Sequence, residues 1–301
     1  MKLLHIGLFL IIKIHPAKAA FLAFYPLFRY TKNREGGKPM KRLYEILQQI
    51  QSTHFAKLWL FYRKHFNSDE DCLQFLYDAI LFNPSSTTAL PTLEQRLNQM
   101  ATSEGELDET HTIPLQMLNI VQRLVSAAHD MDQIRRGQDV FKVIYLVTCA
   151  ETLGELSDHK GSKLHLWKDF WANNCSCSDK KLIYSKFSID SSFRESKIAQ
   201  EDTFDSFEIF LYVMNEVRNS AIHDGAYWEH FFNNHGDEPL LFQLKVNLHR
   251  YKGDQKKLHT FLTELSYQEF ENIFVRTSIR LIRNYLKQHT NQQEEPSYAD
   301  A

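Results

Sequence analysis

Residues 204–225 read FDSFEIFLYVMNEVRNSAIHDG. Successive residues of an α-helix turn by about 100°, which gathers Phe207, Phe210, Leu211, Met214, Val217 and Ala221 into one apolar stripe. Arg218 falls inside that stripe, beside Leu211 and Met214. A guanidinium on the buried face of a helix snorkels, pairs or works. Asn219 and His223 share a neighbouring face, and Arg218 is roughly 140° from His223 by the same geometry. The two do not lie side by side on a straight helix. A long arginine, and a helix that Asp224-Gly225 ends just after His223, let both reach one groove.

Upstream, the segment from Val140 to Leu156 puts Val143, Leu146, Val147, Ala150 and Leu153 on one side, with Phe141, Ile144, Tyr145 and Cys149 over most of the rest. A helix apolar nearly all round belongs in the middle of a bundle. Glu151 lies on the row Val140, Ile144, Val147, so its carboxylate enters apolar surroundings and needs a partner. Placed opposite Arg218, it would satisfy and aim that guanidinium.

Around these helices the sequence predicts an all-α bundle with an N-terminal helical region and a small β-hairpin insertion. Residues 1–39 form an apolar leader: either a short signal peptide, on the run Leu3–Ile12 followed by Ala17-Lys18-Ala19-Ala20, or a start placed too far upstream, with Met40 the true beginning. Residues 40–110 form a helical region of unassigned role, with helices over 43–66, 72–82 and 91–100, the second begun by Ser68 or Asp71. Residues 111–290 form the main helical domain and 291–301 a polar tail. Within that domain helices are expected over 114–129, 140–156 and 204–223. The stretch 157–202 is less regular, with an aromatic-rich 164–171, a loop over 173–180 and a short helix within 187–199. Leu241 to Arg250 alternates apolar and polar residues as a half-buried strand does, and Lys252-Gly253-Asp254 turns it into a second strand. Ser266-Tyr267-Gln268-Glu269 has capping-box spacing and opens the final helix.

With a net charge of −2 the 301-residue chain has no global field to gather polyanions, so nucleic-acid contact must come from a local patch or groove. An apolar content of 43% suffices for a packed core. Ten glycines and no glycine-rich phosphate loop argue against a dinucleotide fold. Of the four cysteines only Cys175 and Cys177 are close in sequence, a spacing poor for a disulfide, and a reducing, cytoplasmic setting is the simpler reading; export follows only if residues 1–19 are a true signal peptide. No segment reads as a membrane span.

The Arg-Asn-x-x-x-His pattern at a helix end (Arg218, Asn219, His223), the internal apolar helix carrying Glu151 upstream and the further helix downstream resemble the HEPN domain family, particularly the HEPN ribonucleases of bacterial defence and toxin systems. The likeness covers residues 113–289. It implies a helical bundle that dimerises and brings two copies of the arginine–histidine element together as a metal-independent endoribonuclease with no cofactor. The implied catalytic residues are Arg218, His223 and Asn219, with Glu151 supporting, and the implied partners are RNA, a second copy of the chain, and a cognate inhibitor or antitoxin. HEPN domains also include non-catalytic nucleotide- or partner-binding dimerisation modules. The spacing alone is loose, since Arg123 to His129 and Arg283 to His289 also satisfy it. Context separates Arg218: a polar Asn219 after it, Ile222 before the histidine, and Asp224-Gly225 closing the helix. The plain alternative is a structural arginine and a solvated histidine.

The implied chemistry is coherent without a metal. Attack by the RNA's own 2′-hydroxyl needs a group of near-neutral pKa, which His223 supplies, and a cation for the phosphate, which Arg218 supplies with a planar fork. Asn219 would orient His223 or bond the phosphate. Lys245, Arg250 and Lys252 make the hairpin locally basic and suit RNA phosphates, while Tyr227 and Trp228 suit base stacking, the core or a dimer interface. Cys175, Cys177, His159 and His165 lack the usual zinc spacing, and His230, His235 and Asp237 form only a polar loop with metal-ligating side chains.

Overall fold

The computed structural model describes residues 53–80, 82, 112–134, 139–189, 206–227, 230–234, 236, 238–246 and 257–291. The chain divides into two compact units, one of residues 1–61 with 90–108, the other of 62–89 with 109–301. In the first, the described residues belong to helix α1 (Thr53–Tyr62), whose last residue begins the second unit. Residues 62–89, assigned by sequence to the N-terminal region, thus form one unit with the main bundle. Tyr62 shows how, its buried hydroxyl donating to the Leu118 carbonyl at 3.0 Å.

The second unit continues with a 3-10 turn (Arg63–His65), α2 (Asp69–Ile80), α3 (Ile113–Ile134), α4 (Asp139–Leu156), α5 (Lys163–Asn174), α6 (Cys177–Ser185), β1 (Phe187–Ile189), α7 (Ser206–Asp224), β2 (Leu240–Val246), β3 (Lys257–Thr263) and α8 (Tyr267–Asn291). The fold is mostly helical with a small antiparallel sheet. Local signals set several ends. Ser68 rather than Asp71 caps α2, accepting from the Asp71 amide at 3.1 Å. Ser266 and Glu269 cap each other reciprocally at the start of α8, at 3.1 and 3.2 Å.

Helix α4 packs against α3, α5, α7 and α8, as an all-round apolar helix must. Val140, Val143, Leu146, Val147, Ala150 and Leu153 are all buried. Beside it lies an aromatic core: Trp171 stacks on Phe270 at 5.6 Å, Phe170 meets Phe274 at 5.0 Å, and Phe210 meets Phe270 edge-on at 5.4 Å.

Two expectations are corrected in the stretch after α4. The segment 173–180 is not one loop, because Ser176 caps α6 by accepting from the Asp179 amide at 3.1 Å. Phe187 to Ile189 is a strand that turns the expected hairpin into a three-stranded antiparallel sheet of order β1-β3-β2, while the rest of the span of the expected short helix, 190–199, lies outside the described residues. The reason is tertiary: β1 pairs with β3 in the register Phe187↔Thr263 and Ile189↔Phe261, which stacks Phe187 and Phe242 against Phe261 in one buried layer. The expected helix over 91–100 and the turn at Lys252-Gly253-Asp254 lie outside the described residues. Among the described residues no helix is long and apolar enough to cross a membrane.

Candidate functional site

The site begins with the way α7 ends. Gly225 takes φ of 68°, a left-handed conformation that suits glycine, and the Ala226 amide reaches back to the Ser220 carbonyl at 3.3 Å. The last two turns of α7, carrying Arg218 to Asp224, therefore stop at a defined point. The apolar stripe faces inward as predicted, with Phe210, Leu211, Met214, Val217 and Ala221 buried.

Two features dock α5 against α4 and α7. Gly154 leaves room for Leu166, whose Cδ2 would lie only 3.1 Å from a side-chain Cβ at that position. Trp167, fully buried, donates its indole N–H to the Leu211 carbonyl at 3.0 Å. Ser162 caps α5 by accepting from the His165 amide, so the first residue of that helix, Lys163, comes close to the C-terminal part of α4.

Arg218, inside the stripe, is 9% exposed. Its Nη2 donates to Glu151 Oε2 at 3.2 Å, and its Nη1 donates to Asn219 Oδ1 at 2.9 Å. Lys163 Nζ approaches the same carboxylate oxygen at 3.9 Å from the solvent side. The two residues that were awkward in the sequence thus meet. The fit leaves spare capacity, because Glu151 Oε1 and Arg218 Nε are buried with no hydrogen-bond partner. Burial pushes the Glu151 carboxyl above its usual range, and Arg218, then Lys163, pull it back only in part.

His223 stands apart from this pair. It is exposed at the end of α7 and makes no hydrogen bond or ion pair among the described residues. Tyr227 is 37% exposed and stacks on Phe141 of α4 at 4.9 Å. Lys245 lies on the exposed face of β2, paired in register with Leu258, and its side chain makes no hydrogen bond or ion pair among the described residues. Arg250, Lys252 and Trp228 lie outside the described residues. The structure therefore brings together Arg218, Asn219 and Glu151, adds Lys163, and leaves His223 and Lys245 unengaged. Lys163 was missed because nothing in its local sequence says that α5 docks there.

The competing matches to the spacing have other duties. Arg283 lies over the rings of Phe66 and Phe75, at 5.2 and 5.7 Å, and His289 stacks on Tyr285 at 4.0 Å. Arg123 is exposed. Cys175 is buried and Cys177 exposed, while His165 pairs with Asp169 at 3.0 Å. His230 is buried against Phe232 and Phe242, and His235 and Asp237 lie outside the described residues. Among the described residues no three His, Cys, Asp or Glu side chains group to hold a metal ion. No protein-family model, curated protein or solved structure matches the chain.

Proposed function

We propose that the chain is a metal-independent endoribonuclease of the HEPN type, acting as a two-fold dimer in a toxin or defence role. The observation that carries this reading is Arg218 held by Glu151 and Asn219 within two turns of a helix end that presents an exposed His223. A guanidinium with its position set in advance needs little reorganisation when charge develops on a phosphate. In the proposed step His223 accepts the proton of the RNA 2′-hydroxyl as the new P–O bond forms. The bond to the 5′-oxygen breaks, that oxygen takes a proton from the partner copy's half-site, and a cyclic phosphate and a 5′-hydroxyl result. Ile222 and Tyr227, both exposed beside His223 in sequence, supply apolar area for the second copy.

A second reading, a non-catalytic nucleotide- or partner-binding dimerisation module, draws on the same pair. Arg218 is already committed to Glu151 and is almost wholly buried, as a structural arginine would be. The two readings separate when purified chain is incubated with varied RNAs in excess chelator, beside Arg218→Ala and His223→Ala. The enzyme reading expects cleavage that both substitutions abolish, and cleavage surviving both sinks it. A folded dimer that cuts none of the RNAs favours the module.

A further inference from the structure

Glu271, on the second turn of α8, is a carboxylate buried to 2% side-chain exposure, and both its oxygens are engaged. Oε1 receives the Lys64 ammonium at 3.2 Å and Oε2 receives His129 Nδ1 at 3.1 Å. These two partners are not buried: the Lys64 and His129 side chains are 48% and 55% exposed. One hidden acid thus holds two outward-facing basic groups, from the 3-10 turn and from α3. A carboxylate only accepts, so Nδ1 carries the proton toward Glu271 and Nε2 is left outward.

Stability alone gives a poor account of this arrangement. An apolar side chain at position 271 would fill a buried site of this kind at less cost than a desolvated carboxylate. Glu271 does one thing an apolar residue cannot, which is to fix an imidazole and an ammonium side by side at the surface. The neighbouring His65 imidazole is pushed down to about 4, first by burial and then by Lys64 and Arg276. The cluster is separate from the Arg218 site. Lys142 of α4 lies 4.4 Å from the ring of Tyr267, at the start of α8, and is about 13 Å along the α4 axis from Glu151.

We infer that Lys64 and His129, held in place by the positioning residue Glu271, form a binding site for the phosphate group of a small phosphate monoester. In the complex the ring carries a proton on both nitrogens, so the ammonium and the outward Nε2–H donate to adjacent oxygens of the anion, and charge-assisted contacts of this kind are the strong ones. This inference does not depend on ribonuclease activity.

The test is histidine-ring NMR on the full chain titrated with inorganic phosphate, ribose 5-phosphate and a nucleoside 5′-monophosphate, with chloride at matched ionic strength as control. The His129 ring signal, identified by its loss in His129→Gln, is expected to shift saturably with phosphate. Loss of one charge-assisted contact in Lys64→Gln should weaken binding roughly tenfold or more, and Lys64→Arg should keep most of it. Glu271→Gln should also lose about tenfold in affinity with an unchanged unfolding midpoint. Tighter binding of the esters, or equal binding of all three, both support the site and say whether the organic part is read. No saturable shift by about 20 mM ligand, weaker than millimolar affinity, overturns the inference, as does an equal shift with chloride. So does a Glu271→Gln variant that loses stability while keeping full affinity.

Discussion

Arg218 Nη2 lies 3.2 Å from Glu151 Oε2, joining the last turns of α7 to the C-terminal part of α4 with side chains that are 11% and 5% exposed. Removing one partner leaves the other charge buried and unpaired. Glu151→Ala is therefore expected to destabilise the fold by about 3 kcal/mol, and Arg218→Ala by a similar amount. Changing both together to Leu and Met should cost clearly less than the sum of the two single substitutions, because no orphan charge remains. Urea unfolding of the four proteins measures this.

The pH dependence of the same pair has a definite direction. Burial raises the Glu151 carboxyl in the folded chain, so its contribution to stability is full below the unfolded carboxylate range and is lost as pH rises through the raised value. Glu151→Gln has no such titration. Its stability relative to the unaltered chain should therefore improve as pH rises from about 4 to neutrality. A difference in urea midpoint that does not change with pH would contradict the assignment.

His223 should separate activity from stability. It is exposed and without a hydrogen-bond partner among the described residues, so His223→Ala is expected to shift unfolding free energy by no more than about 0.5 kcal/mol. Under the proposed function the same substitution lowers RNA cleavage by about a hundredfold or more. Cleavage rate and thermal midpoint, measured on one preparation, check both halves.

His230 is buried, and neither of its ring nitrogens has a hydrogen-bond partner. Burial lowers it from 6.5 to about 3, so the folded chain keeps it neutral where the unfolded chain takes up a proton. Its contribution is complete above 6.5 and is lost as pH falls toward about 3. His230→Phe, in a site already walled by Phe232 and Phe242, should remove about 3 kcal/mol of acid sensitivity between 6.5 and about pH 4. Parallel denaturant curves at several pH values test this.

Lys142 and Asp139 form a second buried pair at 2.8 Å, and the Asp139 carboxylate also accepts the Phe232 amide at 2.8 Å. Lys142→Ala leaves that carboxylate without its counter-charge and should cost about 3 kcal/mol. Lys142→Met combined with Asp139→Asn keeps the bond to the Phe232 amide and should cost much less. Chemical denaturation of the two variants distinguishes these outcomes.

The periodicity of 140–156 and 204–223 determined where two central helices lie and which faces they bury, because a turn of about 100° per residue converts spacing directly into a face. Gly225 and the Ser266–Glu269 box set helix ends through bonds only a few residues long. The meeting of Arg218 with Glu151 was legible because a charge on an apolar face needs a partner, although α4 also buries Lys142, whose pairing with Asp139 only the structure revealed. What the tertiary structure alone decided involves residues far apart in the chain. Docking of α5 brought Lys163 to Glu151, and pairing with β3 made a strand of Phe187 to Ile189. Packing of the 3-10 turn, α3 and α8 gathered Lys64, His129 and Glu271. No local pattern encodes those contacts. They depend on which surfaces the whole chain buries together, whereas helix faces and caps depend on neighbours within one turn.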